Sequence, residues 1–271
     1  MTEVVKQSGE IEPLQIEKLQ TIVARVGGSY QLAEAVVKDI IADLPARVTT
    51  HELYRRLFQR LRQEHPAYSL RLNLKQAIAD LGPTGFPFEQ FIAKVLERAG
   101  YRTQTNLVLP GKCVQHEIDV WAMQGEHEFL FECKFHQQAD KKSNIQAALY
   151  SYARVLDLND HEGRQRYVPG LITNTKLSLD AIHYGECQKM RLIAWGYPFD
   201  DPLERLVEQT KSYPITTLTA LTHQACARLV DQKVVLVQDL LALPESQLQQ
   251  QAGLSAAAVT DIRHEAELLL G

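Results

Sequence analysis

Three residues suited to metal-assisted chemistry stand among apolar neighbours in HEIDVWAMQGEHEFLFECKFH, residues 116–136. They are Asp119, Glu132 and Lys134. A two-residue turn at Gly125–Glu126, where glycine in first place suits a type II′ hairpin, puts Asp119 directly opposite Glu132. Directly opposed residues share a face of the sheet, with Cβ atoms about 4.5–5.5 Å apart. Side chains alternate along a strand, so Lys134 is predicted on the face of Glu132.

Two opposed carboxylates repel each other unless a cation neutralises them. Hard oxygen ligands of this kind suit Mg²⁺ or Mn²⁺. The neighbouring Lys134 is suited to orient a water molecule or to stabilise a phosphate. An exposed strand with an ordinary Asp–Lys or Glu–Lys surface pair explains the same spacing, and the spacing alone favours neither interpretation.

The other face of this hairpin is predicted to be apolar and to face a core. Its members are Ile118, Val120, Ala122, Phe129, Phe131, Cys133 and Phe135.

The elements that must position these residues alternate between helices and strands over residues 84–199. Periodicity predicts helices over 88–100, 144–158 and 177–188, and strands around 103–109, 167–174 and 190–198. This order is typical of a mixed-sheet α/β domain.

Three pieces of residues 84–136, GFPFEQFIAKVLERAGY, HEIDVWA and FECKFH, resemble the PD-(D/E)xK restriction-endonuclease superfamily in their order. Within it they are most similar to the Mrr-like and Holliday-junction-resolvase-like branch. The resemblance implies that Glu89, Asp119 and Glu132 bind Mg²⁺ or Mn²⁺ and that Lys134 assists hydrolysis of DNA. Taken alone, Glu89 is equally well explained as a solvated acid at a helix start.

Further residues around these acids are assigned to the substrate side. His116 and His136 flank the acids and are predicted to lie at the edge of the site rather than to bind metal. Gln146 and Tyr150 are one helical turn apart and are predicted to face the site. Basic residues that either contact the DNA backbone or are simply solvated are Lys141, Lys142 and Arg154.

Residues 1–83 are predicted to form a hairpin, EVVK and IEPL around a QSGE turn, followed by four helices over 15–26, 30–44, 51–65 and 69–81. Thr49 or Thr50 is the predicted cap of the third helix. The stretches VVKQSGEIEPLQIEKLQ and VTTHELYRRL resemble an ATP-cone, a regulatory nucleotide-binding domain.

The ATP-cone resemblance implies ATP or dATP as an effector, and a homo-oligomer. The nucleotide contacts that it implies are Val4, Lys6, Glu12, Gln15 and Lys18. Gln7 stands where the family often has a basic residue, which weakens triphosphate binding or alters selectivity. A helical domain with scattered surface lysines is the alternative interpretation.

Residues 200–271 are predicted to be short helices with breaks at Pro244 and Gly253. YPITTLTALTHQACARLV and LVQDLLALPESQLQQQAGLSAAAVTDIRHEAELL resemble helix-hairpin-helix domains, in particular the C-terminal domain of the RNA polymerase α subunit. This region has ten acidic and five basic residues. DNA contact, packing between subunits and structural support all remain open for it.

Composition places the chain among ordinary globular proteins, since 45% of its 271 residues are hydrophobic and 23% are charged. No apolar run approaches a membrane span, and the N-terminus lacks the apolar core of a secretory signal. The four cysteines are predicted to be reduced thiols, because a zinc set of Cys113, Cys133 and His116 lacks a standard spacing. We therefore expect a cytoplasmic protein without a membrane partner.

The sequence thus predicts an α+β multidomain protein with three parts, 1–83, 84–199 and 200–271. The predicted function is a nucleotide-regulated, divalent-metal-dependent DNA endonuclease. The alternative is a nucleotide-sensing nucleic-acid-binding or oligomerising protein with an endonuclease fold that does not cut.

Overall fold

The computed structural model describes residues 2–6, 9–138 and 140–271. Its architecture is α+β with mixed sheets, as the sequence predicts. The chain forms two compact units. The first comprises Met1–Leu74, Thr217–Ala220 and Thr260–Gly271, and the second comprises Lys75–Thr216 and Leu221–Val259. The division into three domains stays a prediction.

A three-stranded sheet opens the first unit. Strand β1 (Glu3–Val5) pairs antiparallel with β2 (Ile11–Pro13), which confirms the predicted hairpin. Its other neighbour, β3 (Arg47–Thr49), is parallel to β1 and was not expected from the sequence. The predicted turn residues Gln7 and Ser8 lie outside the described residues.

The helices that follow are α1 (Ile16–Arg25), α2 (Tyr30–Ala42), α3 (Thr50–Glu64), α4 (Pro66–Leu72) and α5 (Leu74–Ala79). The prediction of a hairpin plus four helices is therefore wrong, because the last predicted helix is two helices separated at Asn73. Proline is favoured in a first helical turn, so α4 begins at Pro66, three residues before the predicted start. The Thr49 side chain accepts a hydrogen bond from the Glu52 amide and caps α3.

The core of the first unit lies between the sheet and α1 to α3. Amphipathic spacing turns one stripe of each helix inward, so Val23, Ala33 and Leu57 are fully buried. Val4 of β1 and Val48 of β3 close the cluster from the sheet side.

A five-stranded mixed sheet in the order β10-β8-β6-β5-β4 organises the second unit. Its antiparallel part is β4 to β6, and its parallel part is β6, β8 and β10. The strand bounds are β4 Arg102–Pro110, β5 Gln115–Gln124, β6 His127–Lys134, β8 Tyr167–Thr173 and β10 Arg191–Ile193. Two short strands that were not predicted, β7 (Lys142–Ser143) and β9 (Lys176–Leu177), pair in parallel beside it.

Helices α6 (Phe86–Arg98) and α7 (Ile145–Glu162) cover opposite faces of this sheet, and α8 (Leu179–Cys187) packs beside α7. On the α6 face, the ring centroids of Phe88 and Phe135 are 5.5 Å apart. On the α7 face, Val155 and Leu130 belong to one buried cluster. Each face of β6 is therefore covered by one helix.

Strand β5 changes face at its midpoint, where one prediction is wrong. Ile118 packs with Leu130 and Val155, not with the phenylalanines of β6. The pairing of β4 with β5 omits Asn106, which has a φ of 55°, and keeps the same register on both sides of it. Val120 lies opposite Phe131 and keeps the predicted face.

The C-terminal region is helical, with breaks at Pro244 and Gly253 as predicted. Gly253 has a φ of 69°, a conformation that glycine adopts without steric cost, and it ends α12. The helices are α9 Leu203–Gln209, α10 His223–Asp231, α11 Val237–Ala242, α12 Glu245–Ala252 and α13 Ala256–Leu270, with a 3₁₀ turn at Ile215–Thr217.

Among the residues that the structure describes, no helix has the length and apolarity needed to cross a membrane.

Candidate active site

The β5–β6 hairpin has the predicted register. Val120 pairs with Phe131 and Trp121 with Leu130, and Gly125 takes a φ of 60° in the turn. The ladder ends at the pair Val120–Phe131, so Asp119 and the residue opposite it lie just beyond the last pair. One carboxylate oxygen of Asp119 accepts a hydrogen bond of 2.8 Å from the Cys133 amide instead.

The four residues predicted to do chemistry line one open cleft. Glu89 enters it from the first turn of α6, Asp119 from β5, and Glu132 and Lys134 from β6. The cleft has a volume of about 640 Å³, and His136 also contributes to its wall. The sequence prediction that these side chains converge is confirmed, whereas their catalytic and metal-binding roles stay predictions.

The three acids of the cleft are costly to ionise in the absence of a cation. Burial raises the pKa of Glu89 to about 7, and Asp119 is the next contributor. Burial likewise raises the pKa of Asp119, against the hydrogen bond from the Cys133 amide. The pKa of Glu132 is raised by burial and then by Asp119. Desolvation and mutual repulsion therefore act together on one acidic cluster.

A fourth acid, Glu117, acts on this cluster and was missed in the sequence. Its charge contributes to the raised pKa of both Glu89 and Asp119. Glu117 lies two residues before Asp119 on β5, and this spacing would have predicted both side chains on the same face of the strand.

Arg154 of α7 approaches the cluster from the opposite side to Glu89. Its side chain is only 11% exposed, and its Nη1 atom lies 2.9 Å from Oε2 of Glu132. The guanidinium also stacks over the ring of Tyr150, 4.6 Å from the centroid. Arg154 is thus an internal partner of an acid and not an exposed DNA contact, whereas Lys141 and Lys142 are exposed.

A second cleft of about 420 Å³ adjoins the first and shares Glu132, Lys134, His136 and Lys141 with it. The predicted residues Gln146 and Tyr150 line this second cleft. His136 is fixed there by its ring Nε2, 2.9 Å from Oγ of Ser143.

His116, near the start of β5, has a structural role. Its Nε2 atom lies 2.8 Å from Oδ2 of Asp157, and that carboxylate also accepts the Cys113 amide proton. Together these bonds tie the β4–β5 turn to α7. Cys113 is exposed and Cys133 is buried, and all four cysteines are free, as predicted.

The carboxylates of the cleft are chemically suited to bind a hard divalent cation. Their side chains, however, are not arranged around a single cation position. No group of three acidic, histidine or cysteine side chains among residues 2–6, 9–138 and 140–271 is placed to hold a metal. Glu132 is turned toward Arg154, whose Nη1 atom lies 2.9 Å from Oε2 of Glu132. The Oε2 atom of Glu132 could therefore bind a cation only after this contact with Arg154 is broken.

The predicted nucleotide-binding residues come together in the first unit, except for Gln15. Nζ of Lys6 lies 2.8 Å from one oxygen of Glu12, and Nζ of Lys18 lies 3.9 Å from the other. Val4 pairs with Glu12 across the hairpin. Gln15 is exposed at the start of α1 and makes no side-chain cap.

Residues 213–270 match the family model described as AF1548-like, C-terminal. An uncharacterized protein of Archaeoglobus fulgidus is 35% identical over 180 residues, which are 66% of this chain and 100% of that protein. The chain belongs to the AF1548-like family. The crystal structure of AF1548, a protein of unknown function, superposes with a TM-score of 0.58 at 34% identity. This match covers 69% of the present chain and 99% of the AF1548 chain. The relatives therefore support the fold and leave the function of the family open.

In this AF1548-like protein, Glu89→Gln is expected to stabilise the fold at pH 8 and to have little effect at pH 4. Between its ordinary pKa of 4.5 and its folded pKa of about 7, the folded protein keeps a proton that the unfolded chain releases. Stability therefore falls as the pH rises through this interval, and the neutral amide removes the loss. We expect a gain of about 1–2 kcal/mol at pH 8, after allowance for solvent screening.

Urea unfolding of the wild type and of Glu89→Gln at pH 4 and pH 8, without divalent cations, measures this difference. Glu126→Gln in the exposed hairpin turn is the matched control and should show no pH-dependent gain. Equal stabilisation by Glu89→Gln at both pH values would contradict the raised pKa.

Proposed function

We propose that this AF1548-like protein is a nucleotide-regulated, divalent-metal-dependent endonuclease that hydrolyses phosphodiester bonds in DNA. The observation that carries the proposal is the convergence of Glu89, Asp119 and Glu132, all desolvated, beside Lys134 in one open cleft. The PD-(D/E)xK resemblance supports it, because the same four positions are those on which that family places its chemistry.

Glu89, Asp119 and Glu132 would hold Mg²⁺ or Mn²⁺ in this cleft. Such an ion, when bound, activates a water molecule and neutralises charge on the scissile phosphate. Binding it also relieves the repulsion between the three acids, which is the physical reason for a cation at this position. The Glu132 side chain must turn from Arg154 to take part.

Lys134 supplies the positive charge that the protein itself directs at the substrate. Its side chain is exposed at the end of β6, with Glu132 two residues earlier on the same face. An ammonium group there stabilises negative charge that develops on the phosphate or orients the attacking water. Lys141, on the wall of the same cleft, is exposed and suited to hold the DNA backbone.

Asp119→Asn is expected to weaken Mn²⁺ binding at least about tenfold and to abolish DNA cleavage, without loss of folding. The asparagine carbonyl can still accept the Cys133 amide proton, so the change removes charge and keeps the local hydrogen bond. Calorimetric titration with Mn²⁺ measures the affinity, and thermal unfolding checks the fold.

Glu126→Gln is the control for this titration, since it removes an acid of the same unit that does not line the cleft. Mn²⁺ affinity that is the same in wild type, Asp119→Asn and Glu126→Gln would remove Asp119 from the metal site.

The first unit is proposed to bind an adenine nucleotide, ATP or dATP, as the regulatory effector. Lys6 and Lys18 share the carboxylate of Glu12, and the hydrogen bonds that Lys6 donates to Glu12 and then to Glu10 raise the pKa of Lys6. A triphosphate offers these ammonium groups more negative charge than Glu12 does. We further propose that the protein is cytoplasmic and homo-oligomeric, and that the bound nucleotide regulates DNA cleavage.

A second candidate is a nucleotide-sensing nucleic-acid-binding or oligomerising protein whose endonuclease fold does not cut. The observation in its favour is the ion pair of Glu132 with Arg154, which takes one acid from the set. Retention of all four chemically competent residues favours the nuclease. The helix-hairpin-helix resemblance of residues 200–271 serves either candidate through DNA contact, subunit packing or support.

A further inference from the structure

Arg154 occupies the position from which a cation would neutralise Glu132. Its guanidinium lies 2.9 Å from Oε2 of Glu132, and the two side chains are 11% and 17% exposed. Tyr150, one turn earlier on α7, stacks on the guanidinium and holds it in this position. The pair is therefore a packed internal contact and not a mobile surface ion pair.

Hydrogen bonding within this contact is incomplete. The 2.9 Å contact between Nη1 of Arg154 and Oε2 of Glu132 lacks good hydrogen-bond geometry, and the buried Nε of Arg154 has no hydrogen-bond partner in the described structure. Buried ion pairs repay their desolvation only when the geometry is excellent and the remaining polar atoms are satisfied. This pair is thus held by charge and burial, and a better partner for either member can replace it.

The balance of charge in the cleft also bears on whether a cation can replace the contact between Glu132 and Arg154. Four acids act on the cleft, Glu89, Glu117, Asp119 and Glu132, against the three cations Arg154, Lys134 and Lys141. A divalent ion that binds beside Arg154 meets its repulsion as well as the attraction of the acids. A divalent ion that binds after Glu132 has turned away must first break the Glu132–Arg154 contact.

We infer that Arg154 is an internal counterion of Glu132 that a divalent cation must displace, and that it thereby lowers the cation affinity of the site. The inference rests on the proposed metal site and adds a residue that sets its affinity. Arg154 is a positioning residue in this account, because it acts on the cation through Glu132 and does not touch the reacting atoms.

Arg154→Met tests the inference, because it keeps a long apolar stem and removes the charge. Calorimetric titration with Mn²⁺ is expected to show at least about tenfold tighter binding by Arg154→Met than by the wild type. Arg154→Lys keeps the charge and should bind Mn²⁺ within about threefold of the wild type. A merely structural role of Arg154 would weaken binding in both variants.

Unchanged or weaker Mn²⁺ binding by folded Arg154→Met would overturn the inference and leave the metal site intact. Absence of Mn²⁺ binding in both wild type and variant would overturn the inference together with the proposed function. Should the variant not fold, the wild type still provides a test, since Mg²⁺ should shift the NMR signal of the Arg154 Nε–H group. An unshifted signal at Mg²⁺ concentrations that saturate the site would overturn the inference.

Discussion

Lys134→Ala is expected to slow Mg²⁺-dependent DNA cleavage about 100- to 1,000-fold while leaving Mn²⁺ affinity within about threefold of the wild type. The ammonium group offers no ligand atom to a cation, and it lies in the cleft where charge would develop on the phosphate. Its loss should therefore act on the rate and not on metal binding. Because the Lys134 side chain is exposed, removing it should leave the fold intact.

Single-turnover cleavage of a labelled DNA and Mn²⁺ titration of the same preparations separate these two effects. Lys112→Ala is the matched control, since Lys112 is an exposed lysine of the same unit that does not line the cleft. Lys134→Arg should retain part of the rate because it retains the charge. If Lys134→Ala cut DNA as fast as Lys112→Ala, Lys134 would have no role in hydrolysis.

Lys6→Ala and Lys18→Ala are each expected to weaken ATP or dATP binding about tenfold or more, and to remove the effect of nucleotide on cleavage or assembly. Each change removes one of the two ammonium groups that meet at Glu12. Regulatory coupling is typically about 1–3 kcal/mol, or roughly 5- to 150-fold in affinity. An effect of this size is measurable as a change in cleavage rate or in oligomeric state.

Calorimetry with ATP, dATP, ADP and AMP measures the binding, and Lys38→Ala on α2 is the control for loss of an exposed lysine in the same unit. Basal cleavage without nucleotide should be the same in all these variants. No binding of any of the four nucleotides by the wild type would refute the sensor. Binding that changes neither cleavage nor assembly would leave a nucleotide-binding unit without a regulatory role.

The central hairpin was the most predictable part of this molecule. A two-residue turn and the alternation of side chains fixed its register, which the pairs Val120–Phe131 and Trp121–Leu130 confirm. Helical periodicity put Glu89 at the start of a helix whose apolar stripe must pack on the sheet, whereas its place in the site was implied only by the PD-(D/E)xK resemblance. Local rules were sufficient for the register of this hairpin and for the existence of this helix.

Features that depend on distant parts of the chain were not predictable from one sequence. Strand β3 has three residues and forms only because β1 pairs with it from the start of the chain. Ile118 packs with Leu130 next to the unpaired position Asn106 of the neighbouring strand, and the alternation of side chains in β5 does not predict this packing. Arg154 was read as a surface charge, since its burial follows from the packing of α7 on β6, which periodicity does not specify.

Cleavage of one labelled DNA by the wild type and by Asp119→Asn, each in Mg²⁺ and in excess EDTA, tests the central claim most directly. The proposed nuclease predicts products with the wild type in Mg²⁺ alone, and none with EDTA or with Asp119→Asn. Equal cleavage in Mg²⁺ and EDTA, or equal cleavage by wild type and Asp119→Asn, would contradict a metal-dependent active site in this cleft.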